Sequence, residues 1–66
     1  MKESKYNFII EGKDGNTLFY NTRMGSLAVV EPHKKQQYDL FIRDEAELDN
    51  DFLSQLKYCG FLVEDG

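Results

Sequence analysis

Hydrophobic and polar side chains alternate with a period of two near the start of the chain. Tyr6, Phe8 and Ile10 occupy every second position, and they alternate with Asn7, Ile9 and Glu11. This spacing is typical of a half-buried strand. It predicts a first strand over Tyr6–Glu11, with Tyr6, Phe8 and Ile10 facing the core and the polar side chains pointing outward.

Turn residues and a second group of strand-forming residues follow. The dipeptide Asp14-Gly15 favours a tight turn with positive φ, and Thr17–Asn21 then returns to residues that prefer strands. Residues 22–25 predict a second turn, and the uncharged segment Ser26–Val30 predicts a third strand. The pattern therefore indicates a three-stranded antiparallel meander.

The periodicity changes from strand to helix at Pro32. Proline is favoured in a first helical turn because its fixed φ suits the helix and its missing N–H would have no partner there. Tyr38, Phe41 and Ile42 then lie three and four residues apart, on one helical face. We predict a helix from about Pro32 to Ile42.

A second helix is predicted after the polar segment 43–47. Asp49 can cap its N-terminus, and Leu48 can staple onto Leu53. Gly60 can end the helix in a left-handed conformation that lets Phe61 fold back onto it, with residues 61–63 as a short extended tail. The apolar face of the predicted helix has four members: Phe52, Leu53, Leu56 and Cys59.

The length of the chain limits it to one domain. A chain of 66 residues buries only about 60% of the surface of its unfolded form and cannot enclose two cores. The composition, 41% hydrophobic, is that of a globular domain. The predicted fold is α+β: a three-stranded antiparallel meander followed by two or three short helices, in a single domain spanning residues 1–66.

The chain contains few residues that could perform catalysis or bind a metal. Cys59 is the only cysteine, which excludes an internal disulfide and a multi-cysteine zinc or iron–sulfur site. His33, the only histidine, is expected to be a solvated surface residue, and Cys59 a small buried hydrophobic residue. The acidic residues 44–51 lack the glycine and the terminal glutamate of a helix–loop–helix calcium site. We expect neither a catalytic nor a metal site.

The charge of the chain argues against nucleic-acid binding. Residues 1–38 carry six Lys and Arg against four Asp and Glu, whereas residues 39–66 carry two against eight. Binding to DNA or RNA draws most of its affinity from Lys and Arg contacts to phosphate. The sequence also contains no apolar segment long enough for a membrane span and no secretion signal near Met1, so we expect a cytoplasmic protein.

The predicted third strand, Ser26–Val30, is unusual for the edge of a sheet. Free edges normally carry lysine, proline or a bulge that prevents pairing with another chain. An uncharged edge therefore either packs under a helix or accepts a further strand.

The ordered set of short motifs resembles the N-terminal segment of radical S-adenosylmethionine peptide maturases that carry a C-terminal auxiliary-cluster (SPASM) domain. The similarity lies in the Tyr-Asn-Thr turn followed by Gly-Ser-Leu, and in the closing Gly-Phe-Leu-Val before acidic residues. The segments that carry it are Tyr6-Asn7-Phe8-Ile9-Ile10, Leu18-Phe19-Tyr20-Asn21-Thr22, Gly25-Ser26-Leu27-Ala28, Leu56 and Gly60-Phe61-Leu62-Val63.

This resemblance implies a winged-helix-like recognition element, similar to the small chaperone of pyrroloquinoline quinone biosynthesis. Such elements bind the leader of a ribosomally made precursor peptide, which adds as a strand to the third strand and lies against the last helix. When the family's site is carried over by position, the main-chain groups of the third strand would pair with the peptide. The side chain of Leu27 or Val29 would line the groove together with residues of the last helix. The implied peptide-binding residues are Ser26, Leu27, Ala28, Val29, Val30, Phe52, Gln55, Leu56 and Cys59.

The resemblance also implies that this chain is the N-terminal part of a longer enzyme. S-adenosylmethionine and 4Fe-4S clusters are expected in that full-length enzyme, whose catalytic barrel is absent here. The three-cysteine motif that would hold the cluster is also absent, so the chain alone is not expected to be an enzyme. Its expected partners are the precursor leader peptide and the catalytic barrel of the same or a partner maturase.

Two other functions compete with leader recognition. A winged-helix DNA-binding or regulatory domain would use residues 50–59 as its recognition helix, but Lys57 is the only cation there. A purely structural N-terminal domain would pack against its own barrel, and its third strand would bind nothing.

Overall fold

The computed structural model of the protein describes residues 1–64. Its fold is α+β, and a three-stranded antiparallel meander is followed by two helices, as predicted. A further two-stranded pairing joins the two ends of the described chain. In chain order the elements are β1 Lys2–Glu3, β2 Asn7–Glu11, β3 Thr17–Asn21, β4 Ser26–Val30, α1 Pro32–Ile42, α2 Asn50–Tyr58 and β5 Leu62–Val63.

The meander places β3 between β2 and β4. Ile9 of β2 and Ala28 of β4 both lie opposite Phe19 of β3. The loop between β2 and β3 closes through a hydrogen bond from the Gly12 N–H to the Asn16 carbonyl, 2.8 Å long. The predicted hairpin is therefore present, with a five-residue loop around Asp14-Gly15.

The face of the sheet that packs against the core is the opposite of the one predicted for β2. Phe19 is fully buried, and strand pairing puts Ile9 rather than Phe8 on its side of the sheet. Phe8 and Ile10 point outward and are 57% and 55% exposed. The prediction was wrong because alternation defines two faces but does not say which one the helices cover.

Both helices begin as predicted. Pro32 opens α1, and the Asp49 side chain caps α2 by accepting a hydrogen bond from the Phe52 N–H at 3.2 Å. Leu48, just before this cap, is buried, and Leu53 packs against the core. These contacts fix the angle at which the chain enters α2.

Both helices end in a left-handed residue that satisfies their last carbonyl groups. After α2, Gly60 has φ +84°, and the Phe61 N–H donates to the Leu56 carbonyl at 2.9 Å. After α1 the same role falls to Asp44, with φ 62°. The stop at Gly60 was predicted from the sequence, and it directs Phe61 back into the core, where it is 1% exposed.

The strand pair β1–β5 was not predicted. Lys2 lies opposite Val63, and Glu3 lies opposite Leu62. The segment expected to be an extended tail is therefore a strand, and Leu62 is buried. Two residues per strand are too few to show any periodicity, so only the folded chain reveals this pairing.

One core joins the sheet to both helices. Phe19 is at its centre, with its ring centroid 4.9 Å from that of Tyr38 and 5.5 Å from that of Phe61, both in edge-to-face contact. Such aromatic pairs add to the stabilisation gained by burial. The buried hydrophobic residues are Phe19, Val30, Tyr38, Leu48, Phe52, Leu56, Phe61 and Leu62.

A buried asparagine connects three parts of the chain. Asn21, at the end of β3, is 0% exposed, and its Nδ2 donates to Asn7 Oδ1 at 2.8 Å and to the Gly60 carbonyl at 3.1 Å. Its Oδ1 accepts from the Met24 N–H at 2.8 Å. Asn7 in turn donates to the Phe61 carbonyl at 2.8 Å. The network therefore joins the hairpin to the end of α2.

We expect Asn21→Ala to lower the free energy of unfolding by about 3 kcal/mol, because it takes away the partner of Asn7 Oδ1, of the Gly60 carbonyl and of the Met24 N–H. Urea denaturation followed by circular dichroism measures the change. Asn50→Ala is the matched control, because Asn50 is exposed and its loss should change stability by less than about 0.5 kcal/mol. Equal losses in the two variants would show that the Asn21 network does not hold the fold.

The hydroxyl of Tyr38 links α1 to the N-terminus of the chain. Tyr38 is 1% exposed and donates a 2.5 Å hydrogen bond to the Glu3 carboxylate. Burial, this hydrogen bond and the nearby charges of Glu3 and Asp39 all raise the pKa of Tyr38 well above its ordinary value. The neutral phenol is therefore the form that the fold requires.

This raised pKa predicts a loss of stability in alkali. The contribution of Tyr38 is complete below the unfolded-state pKa of about 10 and declines as the pH rises toward the higher folded-state pKa, by up to about 1.4 kcal/mol per pH unit. Stability curves of the protein and of Tyr38→Phe at pH 8 to 11 should therefore converge above pH 10. Parallel curves would show that Tyr38 ionises equally readily in both states.

Candidate functional site

An open groove with a volume of about 570 Å³ lies between β4 and α2. Its floor is mostly hydrophobic, and polar side chains lie among the helical residues that border it. This volume is in the range of sites that bind small molecules or short peptide segments. The lining residues are Ala28, Val29, Val30, Lys34, Phe52, Ser54, Gln55, Leu56, Tyr58, Cys59 and Phe61.

Helical spacing brings the residues of α2 to the groove. Phe52 and Leu56 lie four residues apart, and both are buried in the floor. Gln55 belongs to the same face but is exposed, so its amide is free to meet a ligand. Cys59, one turn after Gln55, is half-buried and packs against the core. The helix thus offers an apolar floor and a polar rim.

The outer edge of β4 forms the other side of the groove. Strand β4 pairs only with β3, and within residues 1–64 no strand pairs with its second edge. The strand Ser26–Val30 contains no charged residue and no proline. This edge therefore has the features of one that can accept another strand.

The structure brings together most of the residues predicted to bind a peptide, but not all of them. Ser26 and Leu27 do not line the groove, and Leu27 is 64% exposed on the opposite face of the sheet. Ala28 and Val30 are the β4 side chains on the core side. The predicted residues that do line the groove are Ala28, Val29, Val30, Phe52, Gln55, Leu56 and Cys59.

Four lining residues were missed by sequence reasoning: Lys34, Ser54, Tyr58 and Phe61. Tyr58 is 87% exposed, and aromatic side chains of this kind are enriched in binding interfaces. Its position three residues after Gln55 is a signal that could have identified it. The position of Lys34 depends on how α1 packs, which no local pattern reveals.

The groove is weakly basic although the protein is acidic. The chain has a formal net charge of −4, but within residues 1–64 the lining contains one lysine and no aspartate, glutamate, arginine or histidine. The Lys34 Nζ lies 5.4 Å from the centroid of the Phe52 ring, within range of a cation–π interaction. Lys34 therefore places a positive charge beside an apolar floor.

A second hydrophobic surface covers the opposite face of the sheet. Its side chains alternate with those of the core along each of the three strands, and the strand registers put them in adjacent pairs. Phe8, Leu27 and Val29 are each more than half exposed. No helix of the described chain covers this face. We call it the outer sheet face and define it by Phe8, Ile10, Leu18, Tyr20, Leu27 and Val29.

The possible metal ligands of the described chain are scattered. Within residues 1–64, no three His, Cys, Asp or Glu side chains are grouped closely enough to hold a metal ion. His33 is an exposed residue whose Nδ1 lies 3.5 Å from Glu31. With Cys59 as its only cysteine, the chain itself does not fit an iron–sulfur cluster held by three cysteines.

Comparison of the chain with models of known protein families, with curated proteins and with solved structures gave no match. In residues 1–64, no helix has the length and hydrophobicity needed to cross a lipid bilayer.

The wall of the groove at Phe61 depends on the left-handed Gly60. A Cβ at Gly60 would lie 2.5 Å from Met24 Cγ, whereas one at Gly25, which has φ +69°, would meet nothing within 4 Å. We expect Gly25→Ala to cost about 1 kcal/mol from backbone strain alone, and Gly60→Ala about 2 kcal/mol.

A double-mutant cycle separates the cost of backbone strain at position 60 from the cost of the contact with Met24. In a Met24→Ala background, Gly60→Ala should cost only as much as Gly25→Ala, because the contact with Met24 Cγ is gone. Denaturant titration of the unsubstituted protein and the four variants measures these differences. An unchanged cost in that background would show that Met24 is not what excludes a side chain at position 60.

Proposed function

We propose that this protein is a peptide-binding module that recruits the leader of a ribosomally made precursor peptide to a radical S-adenosylmethionine maturase. The observation that carries the proposal is the free, uncharged edge of β4 next to an apolar groove bordered by α2. Strand addition to such an edge is a recurrent mode of peptide recognition, in which main-chain pairing gives affinity and side-chain pockets give selectivity.

The dimensions of the site suit a short extended segment. Strand β4 has five residues, which corresponds to about 17 Å of extended chain. A peptide paired along this edge turns every second side chain toward the groove. Those side chains would meet the floor formed by Phe52, Leu56 and Phe61. The floor therefore favours apolar residues at alternate positions of the peptide.

Binding of this kind would act by tethering. A leader held in the groove raises the effective concentration of the attached core peptide near a modifying enzyme without any catalysis by the module itself. The small contact area favours weak, reversible binding, in keeping with release of the product. The chemistry would belong to a catalytic barrel outside this chain.

The outer sheet face supports a second candidate function, a structural domain that docks on another protein surface. Contiguous exposed apolar patches of several hundred Å² commonly mark interaction sites. The two functions are compatible, since the groove and the outer sheet face share only Val29, on the edge strand β4. The DNA-binding alternative gains no support, because Lys57, the only cation of α2, lies 3.7 Å from Glu64.

Amide NMR titration of the labelled protein with the leader of the nearest encoded precursor peptide tests the proposal. We expect shifts at Ser26–Val30 and along Phe52–Cys59, and at least tenfold weaker binding for Gln55→Trp, because the indole would fill the groove. Gln37→Trp is the matched control, since Gln37 is exposed on α1 and does not line the groove.

The pattern of shifts also separates the two candidate functions. No shift in the groove at millimolar peptide would refute leader recognition. Titration with the separately produced catalytic barrel would then show whether the outer sheet face is the binding surface, through shifts at Phe8 and Leu27. Equal weakening by Gln55→Trp and Gln37→Trp would show that the groove is not where the peptide binds.

A further inference from the structure

We infer that Lys34 makes the groove selective for peptides that carry a carboxylate at the end of the bound segment nearest Val30. This inference rests on the proposed function and specifies the ligand: an extended segment with apolar side chains at alternate positions and one acidic residue at a defined end. Lys34 thereby becomes a specificity-determining residue.

The first observation is that Lys34 has no carboxylate partner among residues 1–64. Lys35 pairs with Asp39 at 2.7 Å, and Lys57 lies 3.7 Å from Glu64. Within residues 1–64, no salt bridge involves Lys34, although two of its neighbours in the sequence, His33 and Lys35, both have acidic partners. The ammonium group is therefore available to a ligand.

The second observation is where this ammonium group lies. Lys34 is an exposed residue that lines the groove, and its Nζ is 5.4 Å from the Phe52 ring centroid, so the charge lies next to the apolar floor. A charge pair next to apolar surface is less screened by water than one on an open surface. A carboxylate brought in by a bound strand would gain more from Lys34 than from an ordinary surface lysine.

The third observation is the distribution of the acidic residues. The chain has twelve Asp and Glu residues, and none of those within residues 1–64 lines the groove. The net charge of −4 weakly repels an acidic peptide at long range, so the local contact must provide the selectivity. The long-range repulsion by the net charge and the local attraction by Lys34 together favour a peptide with one well-placed carboxylate over a polyacidic peptide.

The position of Lys34 also relates the acidic residue to the direction of the bound strand. Val30 ends β4, and Lys34 lies in the first turn of α1, which begins at Pro32. The carboxylate must therefore be at the Val30 end of the peptide. This is the N-terminal end of a strand that runs antiparallel to β4, and the C-terminal end of a parallel one.

Synthetic peptides test this selectivity. The probes are seven-residue, end-capped peptides in which valine and serine alternate and one terminal residue is Glu, Gln or Lys, each made with that residue at either end. Affinities come from amide NMR titration at about 0.15 M salt, where the Debye length is about 8 Å. When the variable residue is at one of the two ends, the Glu peptide should bind about 3- to 10-fold more tightly than the Gln peptide. The Lys peptide should bind more weakly than the Gln peptide.

A charge reversal tests the assignment to Lys34. Lys34→Glu should invert the order of the Glu and Lys peptides, whereas Lys34→Gln should abolish the difference between them. Lys13→Glu is the matched control, since it makes the same charge change at an exposed position of the hairpin loop and should preserve the order. The amide spectrum of each variant reports whether the fold is kept.

The outcomes distinguish this inference from the proposed function. Equal binding of the Glu, Gln and Lys peptides at both placements, with shifts in the groove, would overturn the role of Lys34 and leave peptide binding intact. The same order of affinities in Lys34→Glu and Lys13→Glu would also overturn it. Absence of groove shifts with every peptide, the encoded leader included, would refute the proposed function itself.

Discussion

The hydrogen bonds of Asn21 are the constraint on which the rest of the structure depends. An amide buried this completely is stabilising only if its donors and acceptor find partners, and the partners come from β2, from the turn before β4 and from the end of α2. The strand pair β1–β5 lies next to this network, because β5 begins at Leu62, directly after Phe61, whose carbonyl accepts from Asn7. Because Phe61 follows directly from Gly60, the same hydrogen bonds that close the fold also set one wall of the groove.

The sheet is apolar on both faces, and this sets the functional possibilities of so small a chain. Its inner face and the two helices enclose a single core around Phe19. Its outer sheet face stays exposed, as do the free edge of β4 and the groove beside it. Sixty-six residues provide too few helices to cover both faces. A chain built in this way keeps two apolar surfaces exposed, and the proposed function uses the groove for an extended peptide.

Local sequence signals predicted the helix bounds, the cap at Asp49 and the stop at Gly60, since each depends on residues within one turn of itself. Helical spacing also put Phe52, Leu56 and Cys59 on one face of α2, whereas Gln55 was named as a groove residue only because of the resemblance. The same signals failed for Lys34, whose place in the groove depends on the packing of α1.

The sequence by itself determined the order and type of the main elements, the uncharged third strand and the absence of a multi-cysteine site. Tertiary structure decided which face of the sheet became the core, because the alternation in β2 fits either face and only the burial of Phe19 and Asn21 in β3 selects one. It also decided the pairing of β1 with β5, which brings together residues about sixty positions apart. Periodicity and capping act over a few residues, whereas register, packing and the placement of a charge depend on contacts that exist only once the chain has folded.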